Sequence, residues 1–307
     1  PSLDPDLLPE ANIVLYTVKS IAIALTPEAG IEGRRLIERL QADQSPAGRP
    51  ILFVQALGVF SSESEMLALA GAGPKVCVAS WIAENLVRAG LPAAEVVHVA
   101  NGIDHRTFRL TNPIAARSPL LAMNYNPHSL KNIDAGIDAL EVVHRELGVP
   151  SVLFGSLVPP RPLEAGVRFV TSPTQTQLAA TVYRDASIYL QPSTQEGFGL
   201  CAIEAMACGC ALVTTDNGGS DDYAIDGETA VVCDSDAAAM ADALRGLLAD
   251  DARRIRIASN GERYVERFRW ATSARRLREV ADEYLAEPEA FCTGRGAADP
   301  SVRVLRP

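Results

Sequence analysis

Short, continuous apolar runs recur along this chain, and stretches with apolar residues at helical spacing separate most of them. Runs at 13–16, 51–54, 76–79 and 96–99 read as strands in the first third. Runs at 120–123, 152–154, 168–170, 188–190, 211–214 and 230–233 read the same way further on. Helical patterns fill 132–147, 175–184, 200–207, 236–248 and 251–268. Strands without a polar face need cover on both sides, so their alternation with helices predicts an α/β fold with parallel sheets. The segment 104–119, DHRTFRLTNPIAARSP, is polar, holds two prolines and separates two strand–helix patterns, as a boundary does. At roughly 150 residues per domain, the 307 residues divide into an expected first domain at 1–112, a second at 113–275, and a helix and tail at 276–307. Six strands suffice for a doubly wound sheet in the second domain. Four are few for the first, and the chain opens on Pro1, so the first domain is expected to be incomplete at its start.

Composition narrows the function classes. Hydrophobic residues are 48% and charged residues 21%, ordinary globular values that exclude wholesale disorder. With 28 basic against 38 acidic residues the formal charge is −10, without the basic footprint of a nucleic-acid binder. The most apolar stretch, 13–25, is interrupted by Thr17, Lys19 and Ser20 and is too short and polar to span a bilayer. No signal peptide is evident. The six cysteines fit no zinc spacing, and Cys208 and Cys210 form a C-x-C. Buried reduced thiols in a cytoplasmic protein are the expectation, and no metal site is expected.

The chemistry concentrates in 188–216, IYLQPSTQEGFGLCAIEAMACGCALVTTD. A strand leads through Gln191-Pro192-Ser193 into Glu196-Gly197-Phe198-Gly199. A helix then starts near Leu200, and Gly209 stands where its C-cap belongs. A glycine loop feeding a helix N-terminus is an anion site, because free N–H groups and the positive end of the helix dipole coincide there. The loop has neither the G-x-G-x-x-G of a dinucleotide site nor the Gly-Lys-Ser/Thr of a P-loop. Cys201, Glu204 and Cys208 share one helix face, so Glu204 is expected to be partly buried and to need a partner. It reads either as a structural, salt-bridged carboxylate or as an acceptor for ligand hydroxyls such as those of ribose.

Glu196 to Glu204 resembles the E-x7-E motif of retaining glycosyltransferases of the GT-B fold, and EGFGLCAIEAMACGCALVTTDNGG is similar to family 4 of these enzymes. Asn101-Gly102-Ile103-Asp104 with Phe108, the segment 120–131, Phe154-Gly155, the run 170–173, Trp270 and Tyr284 add weaker pieces. The resemblance implies two Rossmann-like domains facing a cleft, with the last helix returning to the first. It implies a nucleotide-diphosphate sugar donor on the second domain, a hydroxyl acceptor on the first, retained anomeric configuration, and no cofactor or metal. Lys131 then matches the lysine on the donor phosphates, Glu196 the glutamate on the transferred sugar, and Glu204 the glutamate on the ribose. Gly197, Phe198, Gly199 and Leu200 match the loop on the diphosphate, and Gly155, Ser172 and Pro173 match positions near the base.

Two departures stand out. Asn126 occupies the place of a common arginine five residues before the phosphate lysine. Thr17, Lys19 and Gln55 stand where a first-domain histidine is usual; Lys19 and Gln55 are the acceptor-side candidates, and Gln55 cannot act as a base near neutral pH. Phe53-Val54-Gln55 with the run 76–81 looks like rhamnosyltransferase-type members that build bacterial surface polysaccharides. The expected setting is cytoplasmic, with peripheral contact at the inner membrane face. A UDP-sugar 2-epimerase of the same fold and an inactive sugar-nucleotide-binding subunit are the competing readings.

Overall fold

The computed structural model describes residues 13–17, 19, 35, 48–58, 68–69, 71, 73–160, 162–164 and 166–291. Contacts divide the chain into two units, one of Pro1–Asn101 with Ala271–Pro307 and one of Gly102–Trp270.

The first unit carries a four-stranded parallel sheet of β1 (Ile13–Thr17), β2 (Arg49–Val54), β3 (Lys75–Cys77) and β4 (Val96–His98), side by side in that order. Helix α1 (Ser80–Arg88) connects β3 to the turn before β4 and buries Trp81, Ile82 and Leu86. Ile51, Val76 and Val99 from the sheet side meet Val280, Tyr284 and Phe291 in one core. Val280 and Tyr284 belong to the long C-terminal helix at Trp270–Ala286, so residues far along the chain complete this core.

The second unit is a six-stranded parallel sheet. Its strands are β5 (Leu121–Asn124), β6 (Ser151–Gly155), β7 (Val167–Thr171), β8 (Ile188–Gln191), β9 (Ala211–Thr215) and β10 (Ala230–Cys233). Their spatial order is β10-β9-β8-β5-β6-β7. Each of the ten apolar runs in the sequence has become one strand. Helices α2 (Ile133–Leu147), α3 (Leu200–Ala207) and α4 (Ala237–Ala249) follow strands, α5 (Asp251–Val265) follows α4, and the C-terminal helix is α6. The helical pattern at 175–184 divides into a turn of α-helix at Gln175–Leu178 and a π-turn at Ala179–Tyr183. Because β6 and β7 run out to one side of β5 while β8, β9 and β10 run to the other, the order reverses between β5 and β8. A ligand of a doubly wound sheet binds at such a reversal, outside the carboxyl ends of the strands.

The polar segment 104–119 lies within this second unit, and the chain passes between units at 101/102 and 270/271. Phe108 is buried with its ring 6.1 Å from that of Tyr183. The Arg117 guanidinium is buried too, donating to the carbonyls of Tyr183 (3.2 Å), Ala186 (2.8 Å) and Cys208. One aromatic ring and one fully bonded arginine anchor a stretch whose average composition reads as a linker. No helix among the described residues is long and apolar enough to cross a membrane.

Candidate active site

The loops leaving β5 and β8, the two strands at the reversal, build the site together. After β8 the chain runs from Gln191 to Gly199 and enters α3. Gly199 is the N-cap of α3 in the left-handed region (φ 89°), and no side chain caps the helix. The first turn of α3 thus lacks the usual side-chain acceptor at its N-cap, as at an anion site. The ring of Phe198 holds the loop down, 5.8 Å from Tyr223 and 5.5 Å from Phe268.

After β5, residues Ser129–Lys131 form a tight turn in which the Leu130 N–H donates to His128 Nδ1. The Leu130 carbonyl accepts the Thr194 N–H at 2.9 Å, which stitches this loop to the β8 loop. The stitch brings Lys131 to Glu196. Lys131 Nζ donates to Glu196 Oε1 at 2.6 Å, and Ser193 Oγ donates to the same oxygen at 2.7 Å. The side chains stay 27% and 12% exposed, so solvent reaches a paired cation and carboxylate. The cation at the start of α2 thus has an anionic partner in the protein itself.

A polar network behind Glu196 fixes its backbone. The Glu196 N–H donates to the Asn217 carbonyl at 3.0 Å. Asn217 is fully buried, its Nδ2 donating to Thr214 Oγ1 (3.1 Å) and its Oδ1 accepting from the Ser220 N–H (3.0 Å). Thr215 Oγ1 donates to the Ser193 carbonyl. Sequence reasoning assigned no role to Ser193 or Asn217. Ser193 stood inside the informative segment, three residues before Glu196, where a loop hydroxyl reaches a neighbouring carboxylate.

Glu204 lies one turn into α3 and is buried at 8% exposure. Burial pushes its carboxyl up to about 7; the Tyr183 hydroxyl opposes this in part, although that hydroxyl closes no hydrogen bond of full geometry among the described residues. The sequence expectation of a partly buried carboxylate on the small-residue face of α3 holds in this geometry.

The other positions expected on the donor side stand at or just after the carboxyl ends of β5, β6 and β7. Asn126 is exposed after β5, its Oδ1 accepting from the His128 N–H at 3.1 Å. Gly155 ends β6, where an added Cβ would lie 2.3 Å from the Tyr125 carbonyl oxygen, so only glycine fits. Ser172, after β7, has φ 46° and donates its N–H to the Gly155 carbonyl at 2.8 Å; Pro173 follows it. Lys19 and Gln55 belong to the first unit and are exposed. The triplet Asp234-Ser235-Asp236 has an Asp-x-Asp spacing that the sequence reading passed over. Asp236 is engaged as the N-cap of α4, accepting the Ala239 N–H at 2.9 Å.

Residues 160–264 match the family described as Glycosyl transferases group 1. The D-inositol 3-phosphate glycosyltransferase of Xylanimonas cellulosilytica is 34% identical over 225 residues, which are 64% of this chain and 54% of that relative. The chain therefore spans about half the length of the curated relative it matches. Among solved structures, sucrose-phosphate synthase from Thermosynechococcus elongatus superposes with a TM-score of 0.70 at 21% identity, covering 90% of this chain and 74% of that one. The Anabaena protein Alr3699/HepE, solved in complex with UDP, does so with a TM-score of 0.70 at 18% identity, covering 89% and 79%. Residues 160–264 are thus similar to glycosyl transferases group 1, and the fold class is the α/β GT-B type that the E-x7-E segment led us to expect.

Proposed function

We propose that this chain moves a sugar from a nucleoside-diphosphate sugar to a hydroxyl acceptor with retained anomeric configuration, the donor on the second unit and the acceptor on the first. The observation that carries this is the Lys131–Glu196–Ser193 cluster beside the uncapped N-terminus of α3. As the bond from sugar to phosphate breaks, negative charge grows on the diphosphate and positive charge on the anomeric carbon. Lys131 and the loop N–H groups oppose the first; a unit charge about 4 Å away is worth about 4 kcal/mol at an effective dielectric near 20. The Glu196 carboxylate faces the second. Glu204 accepts from the ribose hydroxyls, and the acceptor proton passes to the leaving phosphate, since Gln55 cannot take it. The UDP bound by the Anabaena protein and the sugar-transferring names of the similar proteins support this reading.

A thermal-shift screen of UDP-, GDP-, ADP- and dTDP-sugars tests it, followed by analysis of free diphosphate and new glycoside. One donor at 100-fold over its dissociation constant should stabilise by about 2.7 kcal/mol. A melting temperature unmoved by all four overturns the reading. Donor binding without transfer or hydrolysis across a broad acceptor panel would make the chain an inactive binding subunit, and an isomerised donor alone would make it an epimerase. Transfer should survive EDTA unchanged; loss restored by Mg²⁺ or Mn²⁺ would show that the diphosphate is neutralised by other means than Lys131 and the loop.

A further inference from the structure

The Glu196 carboxylate is held on one side only. Oε1 accepts from both Lys131 Nζ (2.6 Å) and Ser193 Oγ (2.7 Å), while Oε2 accepts no hydrogen bond among the described residues. Oε2 is not one of the buried polar atoms without a partner, so solvent or a ligand can reach it. The two donors on Oε1 differ in freedom. Ser193 is buried, and its main chain is fixed from two directions. Its carbonyl accepts the hydroxyl of Thr215 at the end of β9. Pro192 before it packs on α2, where a Cβ added to Gly136 would lie 2.8 Å from Pro192 Cγ. Lys131 instead carries its ammonium on a flexible four-carbon stem, and its side chain is 27% exposed. One donor is fixed and the other can turn.

A serine hydroxyl has one proton to donate, and this one goes to Glu196 Oε1. A carboxylate only 12% exposed that loses its last donor is left charged and unbonded, which is costly. If Lys131 were the sole donor, turning it toward a diphosphate would incur that cost. With Ser193 in place, Oε1 keeps a hydrogen bond and the carboxylate keeps its direction, with Oε2 free.

We propose that Ser193 is a positioning residue for a hand-off: its hydroxyl holds Glu196 Oε1 while Lys131 turns to the diphosphate, leaving Oε2 for the transferred sugar. This rests on the donor-binding reading above. It differs from a merely structural role because the effect of Ser193 on diphosphate binding depends on Lys131.

The test uses the full chain as Ser193→Ala, Lys131→Met and the double variant. Each is melted without ligand and titrated calorimetrically with UDP, GDP, ADP and dTDP, and with the matching nucleosides lacking phosphates. Ser193→Ala alone is expected to weaken the best diphosphate about 3- to 10-fold and to leave its nucleoside within about twofold. In the Lys131→Met background no lysine remains to be released, and the same change is expected to alter diphosphate affinity by less than about twofold. In the unliganded melts the double variant is expected to lose more than the two single variants together, since each donor covers for the other at Oε1. Equal losses of diphosphate affinity in both backgrounds overturn the proposal, as does a Ser193→Ala protein that binds diphosphate as the parent does. Additive melts overturn the shared hold on Oε1 and the hand-off with it. A parent protein that binds none of the four diphosphates overturns the donor-binding reading itself, which separates the two failures.

Discussion

Two Lys–Glu pairs of nearly equal length sit in the two units, and they do opposite things. In the first unit Lys75 Nζ donates to Glu95 Oε2 at 2.8 Å and also to the carbonyls of Gly71 (2.8 Å) and Gly73 (2.9 Å). All three ammonium protons are used, and the lysine side chain is 2% exposed. In the second unit Lys131 Nζ has one hydrogen-bond acceptor, Glu196, among the described residues, and its side chain is 27% exposed. The first lysine is saturated and sealed; the second keeps donors and an open face at the strand reversal. An ion pair becomes a ligand site through the donors it leaves over, not through its length, because an anion can join only where hydrogen-bonding capacity and solvent access remain.

The largest expected effect breaks the sealed pair. Lys75→Met leaves Glu95 buried and unpaired, which should cost about 3–5 kcal/mol of stability, whereas Lys75→Met with Glu95→Leu should recover most of it. Equilibrium unfolding in urea checks both; a single variant as stable as the parent would erase the contrast. Next comes the open pair. Lys131→Ala should cost less stability than Lys75→Met, because the Ser193 hydroxyl still donates to Glu196, and should lower kcat on the order of 10²–10³. Steady-state kinetics on the folded variant decide this, and unchanged turnover would remove Lys131 from the mechanism.

The two glutamates sharpen the comparison further. Glu204→Ala removes hydrogen bonds made in both the ground and transition states, each worth roughly 1.5–3 kcal/mol when one partner is charged. It should raise the donor KM about 10- to 100-fold with less effect on kcat. Glu196→Ala should lower kcat more than it raises KM, and Glu196→Gln should keep donor binding while turning over slowly. Normal diphosphate binding by Glu204→Ala together with failed binding by Glu196→Ala would reverse the two roles.

A pH dependence tests the buried carboxylate. Burial raises the Glu204 carboxyl from 4.5 to about 7 in the folded protein. Between those values the folded chain holds a proton that the unfolded chain has released. The contribution therefore favours folding below about pH 4.5 and is lost as pH rises through about 7, with a slope of at most about 1.4 kcal/mol per pH unit. Glu204→Gln should flatten that decline in melts recorded between pH 4.5 and 8. An unchanged slope would mean the carboxyl titrates at its ordinary value.

The sequence by itself located the ten strands, because most are short apolar runs between polar stretches; charged residues enter only a few, as Arg168 does in β7. It determined the start of α3, since glycines before a helix act within a few residues of chain, and it marked the 197–199 loop as an expected anion site. It also marked Lys131, Glu196 and Glu204, through the resemblance of their surroundings to a known family. Only the tertiary structure decided that Lys131 and Glu196, 65 positions apart, form a donor–acceptor pair, that the Ser193 hydroxyl donates to the same carboxylate, and that the Asn217 carbonyl holds the Glu196 backbone N–H. It alone decided that 104–119 is anchored in the second unit through Phe108 and Arg117. Hydrophobic period and capping are local and survive in the order of residues, whereas these contacts depend on which strands lie side by side, and the reversal between β5 and β8 that brings the two loops together is a property of strand order that no local pattern records.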